Sequence, residues 1–106
     1  MYTRSALFEG RIHQGSEELF FAIAMSELLP VWRAMPNAMA VRVLRTERGE
    51  AGAPALVLVQ EVDYPSLDAV AQAEASPVRA LGAPIVARMM QVFDGTLRHI
   101  VYRRLA

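Results

Sequence analysis

The order in which two hydrophobic periodicities follow one another constrains the fold of this chain more than any other feature of its sequence. Residues 2–13 alternate between apolar and polar side chains, which is typical of a β-strand. Residues 17–35 carry apolar side chains every three or four positions, which predicts a helix with Ser16 as its N-cap. The strand pattern returns over residues 38–47 and again over residues 55–63.

A second helical region follows the third strand and is interrupted twice. Ser76 and Pro77 restart it, because serine caps helices and proline is tolerated in their first turn. Gly82 and Pro84 break it again. The region is then predicted to continue to Phe93.

A fourth strand completes the pattern over residues 96–105, after a turn predicted at Asp94 and Gly95. The order β-α-β-β-α-β predicts an α+β protein with a ferredoxin-like sandwich, in a single domain over residues 1–106. Such a domain has a four-stranded antiparallel sheet with its first strand in a central position and both helical regions on one face. The other face is left to solvent or to a partner.

Charge and composition exclude several classes of protein. Eleven basic and eleven acidic residues cancel, so the chain lacks the basic excess of nucleic-acid-binding proteins. It has no cysteine, which favours a cytoplasmic location, and no apolar run long enough to cross a membrane. Because 54% of the residues are hydrophobic and large apolar patches are rare on monomers, we expect a homodimer or higher homo-oligomer.

The segment around the only tryptophan is one that a straight helix cannot accommodate. Pro30 removes a backbone hydrogen bond two residues before Trp32, so we expect the helix to bend or restart there. Two interrupted helical regions cannot pack on a sheet as closely as straight ones, and the gap predicts an apolar cavity. We predict that this cavity binds a small molecule through Trp32, Met35, Met89 and Phe93.

The two histidines are the candidate catalytic residues. His13 ends the first strand and His99 lies in the fourth, and these strands are predicted to be neighbours. A histidine that faces the cavity can act as a general base near neutral pH, whereas a hydrogen-bonded or surface histidine has no such role. Two histidines without a cysteine make a poor metal site, so we expect neither a metal nor a cofactor.

Arg42 is the remaining candidate, and two interpretations of it stay open. It can bind a substrate carboxylate through two parallel hydrogen bonds. Alternatively it belongs to a cross-strand charge network, which would comprise Glu9, Arg11, Arg42 and Glu61.

Two stretches resemble the dimeric α+β barrel superfamily, in particular its EthD-like and stress-responsive branches. The sequence EVDYPSLDAVAQAEASPVRAL, residues 61–81, resembles the passage from the third strand into an interrupted helix in those proteins. The sequence LLPVWRAMP, residues 28–36, resembles the irregular end of their first helix. The resemblance implies a homodimer in which two sheets face each other, with small ligands lodged between each sheet and its helices.

Three functions are compatible with these features. The first is a cofactor-independent enzyme, similar to a monooxygenase, isomerase or cyclase, that acts on a small apolar or aromatic compound. The second is a non-catalytic ligand-binding or stress-related oligomer with the same cavity. The third is an interaction module whose apolar sheet face binds a different protein.

Overall fold

The sheet contains four antiparallel strands in the order β2-β3-β1-β4. A computed structural model describes residues 1–106, and its strands are β1 (Tyr2–Ile12), β2 (Ala40–Arg45), β3 (Leu56–Tyr64) and β4 (Phe93–Arg103). The first strand is central, as predicted. The α+β class and the ferredoxin-like order of elements are therefore confirmed.

The helical segments all pack on one face of this sheet. They are α1 (Glu17–Ile23), a π-helical turn (Ala24–Leu28), α2 (Leu29–Arg33), α3 (Leu67–Ala75), α4 (Pro77–Ala80) and α5 (Ala83–Met90). None of them is both long and apolar enough to cross a membrane. We call the covered side of the sheet the helix face; in its central strands it comprises Arg4, Ala6 and Phe8 of β1 with Leu58, Gln60 and Val62 of β3.

The first helical region is interrupted as predicted, but one turn before the proline. The π-helical turn ends at Leu28, and Pro30 lies in the first turn of α2, where its missing N–H is tolerated. The Ser26 hydroxyl donates a hydrogen bond to the backbone oxygen of Ala22. Such side-chain bonds to the preceding turn often bend helices.

Two of the three serines that precede helices cap them through their side chains. Ser76 begins α4 as expected, with its hydroxyl accepting a hydrogen bond from the backbone N–H of Val78 at 3.1 Å. Ser66 does the same for α3 through the N–H of Ala69 at 3.0 Å. Ser16 stands at the predicted position before α1, but its side chain accepts no such bond.

The fourth strand begins three residues earlier than the sequence predicts. Phe93 is its first residue rather than the end of the helical region, and Asp94 and Gly95 do not form a turn. They pair with Arg11 and Gly10 of β1. Gly10 has a φ of 150°, and a Cβ there would lie 2.2 Å from the backbone oxygen of Asp94. Asp94 and Gly95, which are typical of turns, thus lie in a strand here, where the lack of a side chain at Gly10 lets the backbones of β1 and β4 approach closely.

The main core lies between the sheet and the first and last helices. Phe8, Phe20 and Phe93 form its centre, with ring centroids 5.4–6.2 Å apart. Met89 is fully buried in the same cluster. The helices cover β3 and β1, whereas most of β4 beyond Phe93 stays exposed.

Candidate functional site

A cavity of about 430 Å³ lies between the helices and the helix face of the sheet. Small-molecule sites commonly have such volumes. The cavity is bounded below by β1 and β4 and above by α2 and the second helical region. The lining residues that bear on its chemistry are Arg4, Trp32, Met35, Glu74, Arg79 and His99.

The apolar wall of the cavity comes from the interrupted helices. Trp32 lies in α2 and is 8% exposed, with Met35 following at the end of the helix. The second helical region packs against this wall at Gly82, where a Cβ would be in ordinary van der Waals contact with Leu28 Cδ1 at 3.4 Å and Val31 Cγ1 at 3.8 Å. The cavity thus has the position that the sequence predicts beside the tryptophan.

His99 contributes an imidazole at the mouth of the cavity. It pairs with Ala6 in the sheet, and the alternation of β4 directs it to the helix face. Partial burial, followed by repulsion from the Arg4 and Arg79 guanidinium groups, lowers the pKa of His99 to about 4. The residue nevertheless remains exposed to solvent. Its ring is therefore neutral at pH 7 and offers one nitrogen as an acceptor.

Sequence reasoning missed three charged residues of this site, Arg4, Glu74 and Arg79, and Arg4 is the most buried of them. Its side chain is only 10% exposed, and its Nε donates a hydrogen bond to Glu74 Oε2 at 3.0 Å. In β1 it shares the helix face with Ala6 and Phe8, whereas a buried strand position is usually apolar. The sequence alone could have indicated Arg4, because the alternation of residues 2–13 places this arginine on the same strand face as the apolar Ala6 and Phe8.

The structure does not bring every predicted site residue to the cavity. Met89 and Phe93 are 0% and 3% exposed and pack inside the core instead. His13 follows the end of β1 and forms an exposed pair with Asp94 Oδ1 at 3.0 Å. About seven strand residues, or roughly 20 Å, separate it from His99 along the sheet. The residues that line the cavity beside Trp32 therefore do not include His13, Met89 or Phe93.

Arg42 lies on the opposite side of the sheet from the cavity. Its two Nη atoms donate to the Asp63 carboxylate at 2.8 Å each, and its Nε donates to Glu61 at 2.9 Å. Thr3 adds a hydrogen bond to Asp63 at 2.7 Å. The charge-network interpretation of Arg42 fits this geometry, although its members are Asp63 and Thr3 rather than Glu9 and Arg11. The hydrogen bonds to Arg42 hold the pKa of Asp63 near 2, below its ordinary 3.8.

We call this opposite side of the sheet the open face, since no helix covers it. Its charged part is the Arg42 network, which lines a separate polar hollow of about 620 Å³. Its apolar part includes Leu44 and Ile100, which are 48% and 42% exposed. The open face also contains Ser5 Oγ, the only buried side-chain polar atom without a hydrogen-bond partner.

Comparison with known proteins identifies the fold. No protein-family model and no curated protein matches the sequence. An ethyl tert-butyl ether D (EthD) family protein from Bacillus halodurans is similar in structure, with a TM-score of 0.77, 15% sequence identity and coverage of 99% of this chain and 100% of that one. The shared architecture is the ferredoxin-like α+β fold, with its four-stranded antiparallel sheet.

Two further structures share this fold. SnoaB, a cofactor-independent oxygenase from Streptomyces nogalater, has a TM-score of 0.67 and 15% identity, with 99% of this chain and 93% of that one covered. A dimeric protein of unknown function with a ferredoxin-like fold, from Bacteroides fragilis, has the same TM-score and identity, with 97% and 95% covered. At this identity the comparison defines the architecture and leaves the chemistry to the residues of the cavity.

Proposed function

We propose that the protein binds a small apolar or aromatic molecule in the cavity beside Trp32 and converts it as a cofactor-independent enzyme. The observation that carries this proposal is the joint presence of an apolar wall and an uncharged histidine in one cavity of suitable volume. The similarity to SnoaB, described as a cofactor-independent oxygenase, supports the class of activity. We further propose a cytoplasmic location, which the lack of cysteine favours.

His99 supplies the chemistry in this proposal. A neutral imidazole at the cavity mouth accepts a proton from an acidic C–H or O–H group of the bound molecule, and the substrate keeps the electron pair as an enolate or phenolate. Trp32 and Met35 hold the apolar part of the molecule on the opposite wall. A general base of this kind contributes roughly 10²–10⁴-fold to a rate.

A non-catalytic binding protein is the second candidate, and the pKa of His99 favours it. General bases work best when their pKa is close to the operating pH, and a value of about 4 makes His99 a weak base in the free protein. In this alternative the imidazole only accepts a hydrogen bond from the ligand.

The experiment measures binding and turnover separately. Aromatic, phenolic and quinone-type compounds are titrated against the emission of Trp32, the only tryptophan, and those that bind are followed for chemical conversion. We expect His99→Gln to retain binding and lose turnover, whereas His13→Gln, a matched change outside the cavity, leaves both intact. Binding without conversion in the parent protein supports the second candidate. The absence of any saturable response overturns both.

We also propose that the protein is a homodimer whose two open faces pack against each other. The exposed Leu44 and Ile100 favour such a contact, and the relative from Bacteroides fragilis is described as dimeric. Sedimentation should show a dimer at micromolar concentration. We expect Ile100→Lys to shift it to monomer, whereas Leu81→Lys, which changes an apolar side chain 63% exposed on the helical side, should not. A monomeric parent protein would contradict the proposal.

A further inference from the structure

The cavity contains a buried cation with unused hydrogen-bond donors. Of the side-chain donors of Arg4, only Nε has a protein partner, Glu74 Oε2, and no protein group accepts from either Nη atom. Arg4 lines the cavity although nine-tenths of its side chain is buried. Every fully buried side-chain nitrogen or oxygen atom except Ser5 Oγ has a hydrogen-bond partner. Because the Arg4 Nη atoms have no partner, they are not fully buried and reach open space. The open space beside Arg4 is the cavity.

The charges around the cavity favour an anion. Arg4 and Arg79 are two cations, Glu74 is one anion, and His99 is neutral at pH 7, so these groups leave one net positive charge. Arg79 is held near the same opening by a hydrogen bond from its Nη1 to the backbone oxygen of Glu74 at 3.3 Å. Because the Arg4 Nη atoms reach open space, they can donate hydrogen bonds to an anion that enters the cavity.

We propose that the cavity selects ligands that carry an oxyanion, such as a carboxylate or an acidic phenolate, and that Arg4 receives this group on its two Nη atoms. Guanidinium groups bind carboxylates through two parallel hydrogen bonds, and such charge-assisted bonds are stronger than neutral ones. The apolar remainder of the ligand then lies against Trp32. This inference rests on the proposed function, because it names the class of molecule that the same cavity binds.

The position of Arg4 relative to His99 gives the oxyanion a second effect. Arg4 pairs with Val101 of β4, so His99 is its diagonal neighbour, at roughly 7–8 Å between Cα atoms. An anion bound to Arg4 offsets the positive potential that acts on the imidazole. The same ligand group that gives binding specificity therefore makes His99 a better proton acceptor.

The test uses two probes of nearly the same shape, anilinonaphthalene sulfonate and the uncharged N-phenylnaphthylamine. Both accept excitation energy from Trp32 when they bind nearby. We expect the parent protein to bind the sulfonate at least roughly tenfold more tightly than the neutral probe. Arg4→Met should remove most of this preference without weakening the neutral probe, whereas Arg48→Met, which removes the same charge from an exposed loop, should change neither affinity.

A second variant keeps the test decisive if Arg4→Met does not fold. Glu74 is 41% exposed at the cavity mouth, so Glu74→Gln should fold and should increase the preference for the sulfonate by freeing Arg4. Equal affinities for the two probes, or a preference that neither variant changes, would overturn the oxyanion proposal and leave the apolar cavity intact. Failure of both probes to show saturable energy transfer would overturn the cavity as a binding site and the oxyanion proposal with it.

Discussion

The bidentate pair between Arg42 and Asp63 makes a quantitative prediction about stability. Asp63 has a side chain only 7% exposed and a pKa near 2 in the folded protein, against an ordinary value of 3.8. At about 1.4 kcal/mol per pH unit this interval corresponds to about 2.5 kcal/mol of unfolding free energy at neutral pH. Because Arg42 is 43% exposed, solvent screening makes this an upper value. We therefore expect Asp63→Asn to lower the unfolding free energy by about 1–2 kcal/mol at pH 7.

The pH dependence provides the sharper measurement. The folded pKa lies below the unfolded one, so the stabilisation is complete above about pH 4 and is lost as the pH falls towards 2. In urea unfolding at fixed protein concentration, the difference in unfolding free energy between the parent protein and Asp63→Asn should therefore fall below about 1 kcal/mol near pH 2.5. Asp94→Asn, at a side chain 80% exposed, is the matched control and should change stability little. An equal difference in unfolding free energy at pH 7 and at pH 2.5 would refute the reasoning.

Three further changes test how the fold is held together. Met89→Ala should cost roughly 2–5 kcal/mol in urea unfolding, because the side chain is fully buried, but it should leave ligand affinity unchanged since the residue lies outside the cavity. Ser66→Ala should lower the unfolding free energy by about 1 kcal/mol through loss of its cap hydrogen bond, whereas Ser16→Ala, at an uncapped helix start, should have almost no effect. Gly10→Ala should prevent accumulation of folded protein on expression, because its Cβ has no room, whereas Gly15→Ala, with open space around it, should yield folded protein with a slightly lower melting temperature.

The element order could be predicted from the sequence because each strand and helix has a clear period. Residues 2–13 alternate cleanly, and this strand occupies the predicted central position. The fourth strand was misjudged at its start because Asp94 and Gly95 are common in turns, while their actual role depends on Gly10 in a distant strand. Local propensity cannot reveal such a cross-strand approach.

The candidate site was predictable only in part. The proline that interrupts the helix indicated a cavity beside Trp32, and the structure has one there. The structure places Met89 in the core, and helix periodicity does not distinguish a residue that lines a cavity from one that fills the core. The alternation of residues 2–13 places Arg4 in phase with Ala6 and Phe8, but only the folded arrangement shows that its Nη atoms have no protein partner.

The uncovered length of β4 bears on how quickly a guest exchanges with the cavity. Most of β4 beyond Phe93 is exposed and its His99 lines the cavity, so the entrance beside His99 is open in a single protomer. Entry then needs no lid movement, and association should proceed in one kinetic phase whose rate rises linearly with guest concentration. Differences in residence time among guests would come from their contacts with the walls rather than from a conformational gate.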